Sequence, residues 1–329
     1  MKKAVVIGGG TGTFTVLSGL KSYKLDLSAI VAMSDSGGST GILRDELGVL
    51  PPGDVARCLV ALSSSDKLMR GLMDYRFEGG NLAGHRFGNL LLSALAKMTG
   101  SFDSAVEKVG DILRIEGHVI PVTLDKVNLV ALVDSRIVHG EEEIQTTELN
   151  DCLEDIRLEP QAQANPKALK AIRDADVIVI GPGNFYASIV PNLLVRGIPE
   201  AIRGSKATKI FVCNLMTKAE HTHGYSVADY TRALEKYLGG GVDVVIYNNA
   251  VPPEEDLKKY ARAKDELISW QHLPEVRKLV GANLLARRVV PIQKIGTPSL
   301  ESSLVRHDSA KLAAVITKVI GPVPKRIRS

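Results

Sequence analysis

Ala4-Val5-Val6-Ile7-Gly8-Gly9-Gly10-Thr11-Gly12-Thr13 is the stretch whose reading decides the fold. Ala4 to Ile7 predicts a short buried strand, and Phe14, Leu17 and Leu20 follow the glycines at helical spacing. A second apolar strand, Ala29 to Met33, ends in Ser34-Asp35-Ser36-Gly37-Gly38-Ser39-Thr40-Gly41. Two glycine-rich loops therefore stand at the carboxyl ends of two neighbouring strands, the place where open α/β sheets bind ligands. Glycines let the backbone approach a phosphate, and a helix N-terminus offers unpaired N–H groups and a positive dipole. Gly9, Gly10, Thr11 and Gly12 in the first loop, and Asp35, Gly37, Gly38 and Ser39 in the second, are candidate contacts to a phosphorylated or nucleotide ligand. An NAD site fits less well. Gly8 and Gly10 match the dinucleotide fingerprint, but its third glycine is replaced by Thr13.

Outward from this stretch, Pro51-Pro52-Gly53-Asp54 breaks the chain, and Asp54 reads as the N-cap of a helix carrying Arg57, Leu59 and Leu62. Helices are predicted over residues 68–77, 89–98 and 102–114, with a helical turn over 42–47 and a loop over 78–86. The pattern then changes. Residues 119–122, 129–133 and 137–138 are short, β-branched and separated by turn residues such as Asp134-Ser135, which predicts a small antiparallel element. Glu141-Glu142-Glu143 reads as a solvated edge and residues 151–166 as a polar loop. A β-rich insertion is thus placed at about 118–160 within a single α/β domain spanning 1–329. Alternation resumes with a helix over 166–174, a strand over 177–180, a helix from Ala187 and a strand over 209–213. A helix over 226–238, a strand over 242–247 and helices over 254–263 and 309–319 complete the pattern. The expected fold is a doubly wound, mostly parallel sheet.

Composition narrows the function. Of 329 residues, 45% are hydrophobic and 24% charged, which suits a packed core. Aromatics at 5% are too few for a base-stacking platform, and a net charge of +4 is too mild for a nucleic-acid surface, so no nucleic-acid partner is expected. The basic end, Lys325, Arg326 and Arg328, reads as a solvated terminus. Cys58, Cys152 and Cys213 are too far apart for a zinc pair or a disulfide framework. No stretch approaches the ~18 apolar residues of a membrane span. Met1-Lys2-Lys3 runs straight into a strand rather than a signal peptide, so a cytoplasmic protein without membrane insertion is expected.

Two further loops carry candidate chemistry. Gly181-Pro182-Gly183-Asn184-Phe185-Tyr186-Ala187-Ser188 is a third glycine turn entering a helix, in which Gly181, Gly183, Asn184 and Ser188 can meet a phosphate. Tyr186 can pack on a base or sugar, or serve the core. Asn214-Leu215-Met216-Thr217 is the fourth, with Asn214 and Thr217 placed to fix a base or sugar. His221 and His223 lack a third ligand nearby and read as an exposed loop rather than a metal site. Asp35 suits a ribose or a magnesium ion. Arg44, Arg57 and Arg306 are candidate phosphate clamps, because a planar guanidinium takes two oxygens at once. There is no G-x-x-x-x-G-K-[ST] and no Ser-His-Asp or Cys-His pattern.

Taken together the motifs resemble the YvcK/CofD-like family. The resemblance runs through Gly8 to Gly12, Asp35 to Gly41 with Leu43-Arg44, Pro51-Pro52-Gly53-Asp54, Tyr75-Arg76-Phe77 and Gly84-His85-Arg86-Phe87-Gly88-Asn89-Leu90. It continues through Gly181-Pro182-Gly183, Tyr186, Ser188, Pro191 to Leu194, Asn214 to Thr217, Gly224-Tyr225-Ser226 and Arg306-His307-Asp308. It implies a Rossmann-like core that binds a nucleoside diphosphate. The order, the length and the Pro-Pro-Gly-Asp block look like the YvcK branch. That branch implies a regulator that binds UDP-N-acetylglucosamine and acts in carbon metabolism, cell-wall synthesis and cell shape. The CofD branch implies a magnesium-dependent transferase that moves a phospholactyl-type group from a nucleotide-activated donor to a deazaflavin acceptor. Tyr260 and Arg306 match family positions near the sugar nucleotide, and a homodimer is a further implication. Ser34-Asp35 carries one acid where the family usually has two, and Ala56-Arg57 stands where an Arg-Asn pair is usual.

Overall fold

Strand β1 (Lys2–Gly8) lies inside a seven-stranded sheet, with Val5, Val6 and Ile7 buried. The structure is a computed structural model and describes residues 1–287 and 305–326. From β1 the chain passes through α1 (Gly10–Leu20) to β2 (Leu25–Val31). A helical excursion follows: α2 (Gly38–Leu47), α3 (Gly53–Leu62), α4 (Lys67–Asp74), α5 (Phe87–Thr99) and α6 (Phe102–Leu113). Strand β3 (His118–Pro121) then extends the flank beyond β2.

A separate antiparallel sheet comes next, built from β4 (Asn128–Val133), β5 (Arg136–His139) and β6 (Leu153–Glu159), with the short helix α7 (Glu141–Ile144) between the last two. Helix α8 (Pro166–Asp174) returns the chain to the main sheet, now on the other side of β1, at β7 (Val177–Ile180). One wide turn (Phe185–Ile189), α9 (Val190–Leu193) and α10 (Ile198–Gly204) lead to β8 (Thr208–Val212). Helix α11 (Val227–Leu238), β9 (Val244–Asn248), α12 (Glu254–Arg262), β10 (Lys278–Ala282) and α13 (Ser309–Val319) complete the chain. The strand order is β10-β9-β8-β7-β1-β2-β3, and all its pairings are parallel.

Local chemistry explains most of these elements. Val177-Ile178-Val179-Ile180 is buried throughout, as expected of a parallel strand covered on both faces. Helix α11 starts in a capping box, where Asp229 accepts from the Ser226 amide at 2.9 Å and Ser226 Oγ accepts from the Asp229 amide at 3.3 Å. Helix α13 starts where Asp308 accepts from the Lys311 amide at 2.9 Å.

Four local expectations are corrected. The strand at residues 118–121 pairs in parallel with β2, so it belongs to the main sheet and not to the antiparallel element. β6 occupies part of the segment expected to be a polar loop. Its two consecutive exposed residues, Glu154 and Asp155, oppose a register shift at Leu132/Val133 and break the alternation that would reveal a strand. The helical turn expected at 42–47 is a full helix starting at Gly38, so the second glycine loop ends inside its first turn. Asp54 is the second residue of α3, with Pro52 at the capping position, and is not an N-cap.

The basic end is not simply solvated. Arg326 donates from Nε to the Tyr23 carbonyl and from Nη2 to the Leu25 carbonyl, each at 3.0 Å, and pairs with Glu116. Lys325 stands over the Tyr23 ring at 5.8 Å. Arg328 lies outside the described residues.

Helix α1 lies against both α3 and α13. At its contact with α13, a Cβ on Gly19 would stand 2.1 Å from the Ser309 carbonyl oxygen and 2.9 Å from Ala313 Cβ. Replacing Gly19 with valine is expected to cost about 1–3 kcal/mol by overpacking. Urea denaturation checks this, and an unchanged midpoint would remove the α1–α13 contact from the account of stability.

Candidate functional site

The two halves of the sheet meet at Gly12. A Cβ there would stand 2.0 Å from the carbonyl oxygen of Pro182, so only glycine lets the loops after β1 and β7 touch. This is the point where the strand order reverses, and a crevice opens there at the carboxyl ends of the strands. Thr13 takes the place of the missing third glycine by packing over Gly8, where a Cβ would lie 2.6 Å from its Oγ1. Side-chain amides hold the loops in place. Asn192 Nδ2 donates to the carbonyls of Gly8 at 3.2 Å and Ser188 at 2.8 Å. Asn214 accepts from the Gly183 amide at 3.3 Å and donates to its carbonyl at 2.8 Å. Helix α1 has no side-chain cap at Gly9, which leaves its first amides for the crevice.

The crevice measures about 750 Å³. Gly9, Gly10, Thr11 and Gly12 form one wall, with Gly183, Asn184 and Ser188 beside them. Asn214 and Leu215 continue from Gly183, and Tyr260 and Arg306 also line the crevice. Asp35, Gly37, Asp54 and Arg57 lie between the glycine loop and α7. Arg57 Nη1 donates to Thr11 Oγ1 at 2.8 Å, which braces α3 against the glycine loop.

Three carboxyl groups converge on this side. Asp35 Oδ1 accepts from the Gly37 amide at 2.9 Å. Glu141 is 7% exposed, hydrogen-bonds to Asp35 and accepts from Gln145. Burial and the charges of Asp35 and Asp54 push the Glu141 carboxyl well above the usual carboxylate range. Asp54 is raised to about 6 by its burial and by Asp35, against the opposing pull of Arg57 and the Gly10 amide. The glutamate run expected as a solvated edge is therefore partly inside the site. It is held there by the Glu142 amide on Ser36 Oγ at 3.2 Å and by His221 Nε2 on the Ile144 carbonyl at 2.8 Å.

His221 is accordingly buried and packs edge-on to Tyr186 at 6.0 Å, whereas His223 is exposed. Among the described residues no three His, Cys, Asp or Glu side chains are grouped to hold an ion. Asp35 and Asp54 form an all-oxygen pair of the kind magnesium accepts when phosphates and waters complete its shell.

Several candidate residues lie outside the crevice. Tyr186 is 6% exposed and packs against Phe185, His221 and Tyr237, so its ring belongs to the core. Thr217 is buried and pairs with Glu266 through backbone and side chain. Gly181 packs toward Ile189 and the Val212 carbonyl. Gly38 begins α2, and Ser39 is bonded to His85 Nδ1 at 2.9 Å. Arg44 donates to Asn128 at 3.1 Å and to Asp45 at 2.8 Å, on a separate depression behind Glu142 and Thr146.

Glu141, Gln145, Thr146 and His307 line the crevice without having been singled out from the sequence as site residues. The four-residue spacing of Glu141 and Gln145 is a helical signal, but nothing local tells which face turns inward. His307 is pushed down to about 4 by burial and donates to the Cys213 carbonyl, so its ring is neutral near pH 7.

The raised Asp54 predicts a pH-dependent variant. The folded chain binds more protons than the unfolded chain between pH ~4 and ~6, so this group lowers stability as pH rises through that window. In metal-free buffer, Asp54→Asn is expected to raise the melting temperature at pH 7 and to leave it unchanged near pH 4. An equal shift at both pH values would rule out the raised carboxyl.

With this geometry in hand, comparison places the chain among known proteins. A family model described as 2-phospho-L-lactate transferase CofD matches residues 4–289. A gluconeogenesis factor of Halalkalibacterium halodurans is 42% identical, covering 96% of this chain and 95% of its own length. A gluconeogenesis factor of Bacillus subtilis is 36% identical, covering 97% and 98%. A crystal structure of a Bacillus halodurans protein superposes with a TM-score of 0.85 at 36% identity, covering 96% of this chain and 99% of that one. The chain belongs to the CofD/YvcK family.

Proposed function

We propose that this protein binds a nucleotide sugar, UDP-N-acetylglucosamine, through its diphosphate. In this reading it acts as a cytoplasmic regulator of gluconeogenic carbon metabolism, cell-wall synthesis and cell shape. One observation carries the reading: an uncapped glycine turn at the sheet's switch point lines a crevice of about 750 Å³ together with Arg306 and Tyr260. That volume lies within the range of about 300–1,000 Å³ common for small-molecule sites. The amides of Gly10 to Gly12 and Gly183 take phosphate oxygens, and Arg306 neutralises them. Tyr260 accepts the Val305 amide at 3.2 Å, which holds it beside Arg306 to cover the sugar. Asn214 and Asp35 contact the nucleoside, and Asp35 with Asp54 would hold a magnesium ion where one accompanies the diphosphate. The relatives named gluconeogenesis factors support the metabolic role. A homodimer accords with the family reading.

A second reading is favoured by the carboxyl groups. Asp54, raised to about 6 beside a phosphate nest, is suited to accept a proton from an attacking alcohol. That is the chemistry of a transferase of the kind the family model names. It would move a phospholactyl-type group from a nucleotide-activated donor to a deazaflavin acceptor.

Isothermal titration with UDP-N-acetylglucosamine, UDP, GDP and NAD, with and without Mg²⁺, separates the readings. The UDP-sugar is expected to bind most tightly. Arg306→Ala should weaken it at least about tenfold, roughly 1.4 kcal/mol. Preference for GDP with Mg²⁺, followed by turnover with a deazaflavin alcohol, would replace the regulator with the transferase. Binding of none of the four would overturn both.

A further inference from the structure

Beside the crevice the chain between α4 and α5 folds back on itself. The Phe77 amide donates to the His85 carbonyl at 3.0 Å, and the Phe87 amide to the Tyr75 carbonyl at 2.9 Å. These bonds frame an antiparallel bridge in which Arg76 stands directly opposite Arg86. In such a non-hydrogen-bonded pair the Cα atoms are only about 4.5 Å apart and the two side chains share a face. Like charges at this position repel. A third guanidinium, Arg57, comes in from α3 and already reaches Thr11 of the glycine loop. Burial and the charges of Arg57 and Arg76 lower the pKa of Arg86.

Two carboxylates, Asp74 and Asp54, offset part of this charge. Arg86 meets Asp74 at 3.7 Å, and that carboxylate is half exposed. Arg76 donates to the Gly84 carbonyl, which is neutral. Asp54, three residues before Arg57 on α3, lines the crevice and attracts both Arg57 and Arg86. The hairpin is nevertheless fastened in place, by Ser39 on His85 at 2.9 Å and by Tyr75 edge-on to Phe77 at 5.2 Å. Three guanidinium groups on two braced elements and a crevice wall form a forked donor set suited to a tetrahedral oxyanion.

We propose that Arg57, Arg76 and Arg86 form a second anion subsite, on the α3 flank of the crevice, that takes the phosphate group of a small phosphorylated ligand alongside the nucleotide. It goes beyond the nucleotide-sugar reading and rests on it only in treating the glycine nest as already filled by the nucleotide's own phosphates. The site would let the protein respond to two metabolites at once, because Arg57 touches both the glycine loop and the cluster.

The test uses inorganic phosphate as probe, followed by ³¹P line broadening at constant ionic strength, with and without saturating UDP-N-acetylglucosamine. Phosphate is expected to bind in both conditions. Arg86→Gln and Arg76→Gln should each weaken it at least tenfold, while the surface control Lys67→Gln changes it less than twofold. Because the cluster repels itself, Arg76→Gln is expected to melt no lower than the parent, which keeps it informative where Arg86→Gln fails to fold. Loss of phosphate binding when the UDP-sugar is added would place the anion in the glycine nest and overturn the proposal. Unchanged phosphate binding in Arg76→Gln would overturn it as well. Failure of the UDP-sugar itself to bind counts against the nucleotide-sugar reading alone, since the arginine variants are then read in its absence.

Discussion

The contact of Gly12 with the Pro182 carbonyl is the constraint from which the rest of the site follows. Strand β1 sends the chain to one flank of the sheet and β7 begins the other flank, so their loops leave from adjacent strands. Side chains on both loops would drive them apart. Glycine lets them close, and the amides of both then border a single crevice. The clamps made by Asn192 and Asn214 hold this arrangement. A loop so braced is organised before binding, which reduces the ordering cost of taking up a phosphate.

Electrostatics divides the crevice into two territories that meet at Asp54, which feels Asp35 and also Arg57 and Arg86. Asp35, Asp54 and Glu141 crowd together near α7, and the crowding raises the pKa values of Asp54 and Glu141. Arg57 and Arg86 crowd on the α3 flank, and Arg306 also lines the crevice. A cation at the acidic side and an anion at the basic side would each relieve local repulsion. The mild net charge of +4 conceals both territories, because they nearly cancel in a sum taken over the whole chain.

The antiparallel insertion takes part in the site. Its α7 carries Glu141 and Gln145 into the crevice, and two bonds, Ser36 to Glu142 and His221 to Ile144, tie it to the main sheet's loops. An element inserted in the chain between β3 and β7 thereby becomes part of the crevice wall. This also explains why His221 is buried: its ring spends its Nε2 donor on a carbonyl of the insertion instead of on water.

What the sequence by itself determined was periodic or covalently local. The apolar runs of β1, β7 and β8 and the glycine turns after β1 and β7 are legible because burial period and turn chemistry are properties of neighbouring residues. The same reading placed Gly9 to Gly12, Asp35, Asn214 and Arg306 where the crevice is. Only the tertiary structure decided which of the polar residues turn inward. Tyr186 and Thr217 look like loop residues fit for a ligand, yet neighbours far along the chain, Tyr237 and Glu266, hold them elsewhere. Glu141 looks like part of a solvated run, yet it is buried in the crevice against Asp35, more than a hundred residues earlier. The side chain that closes a site is chosen by long-range packing, and one-dimensional spacing carries no record of that choice.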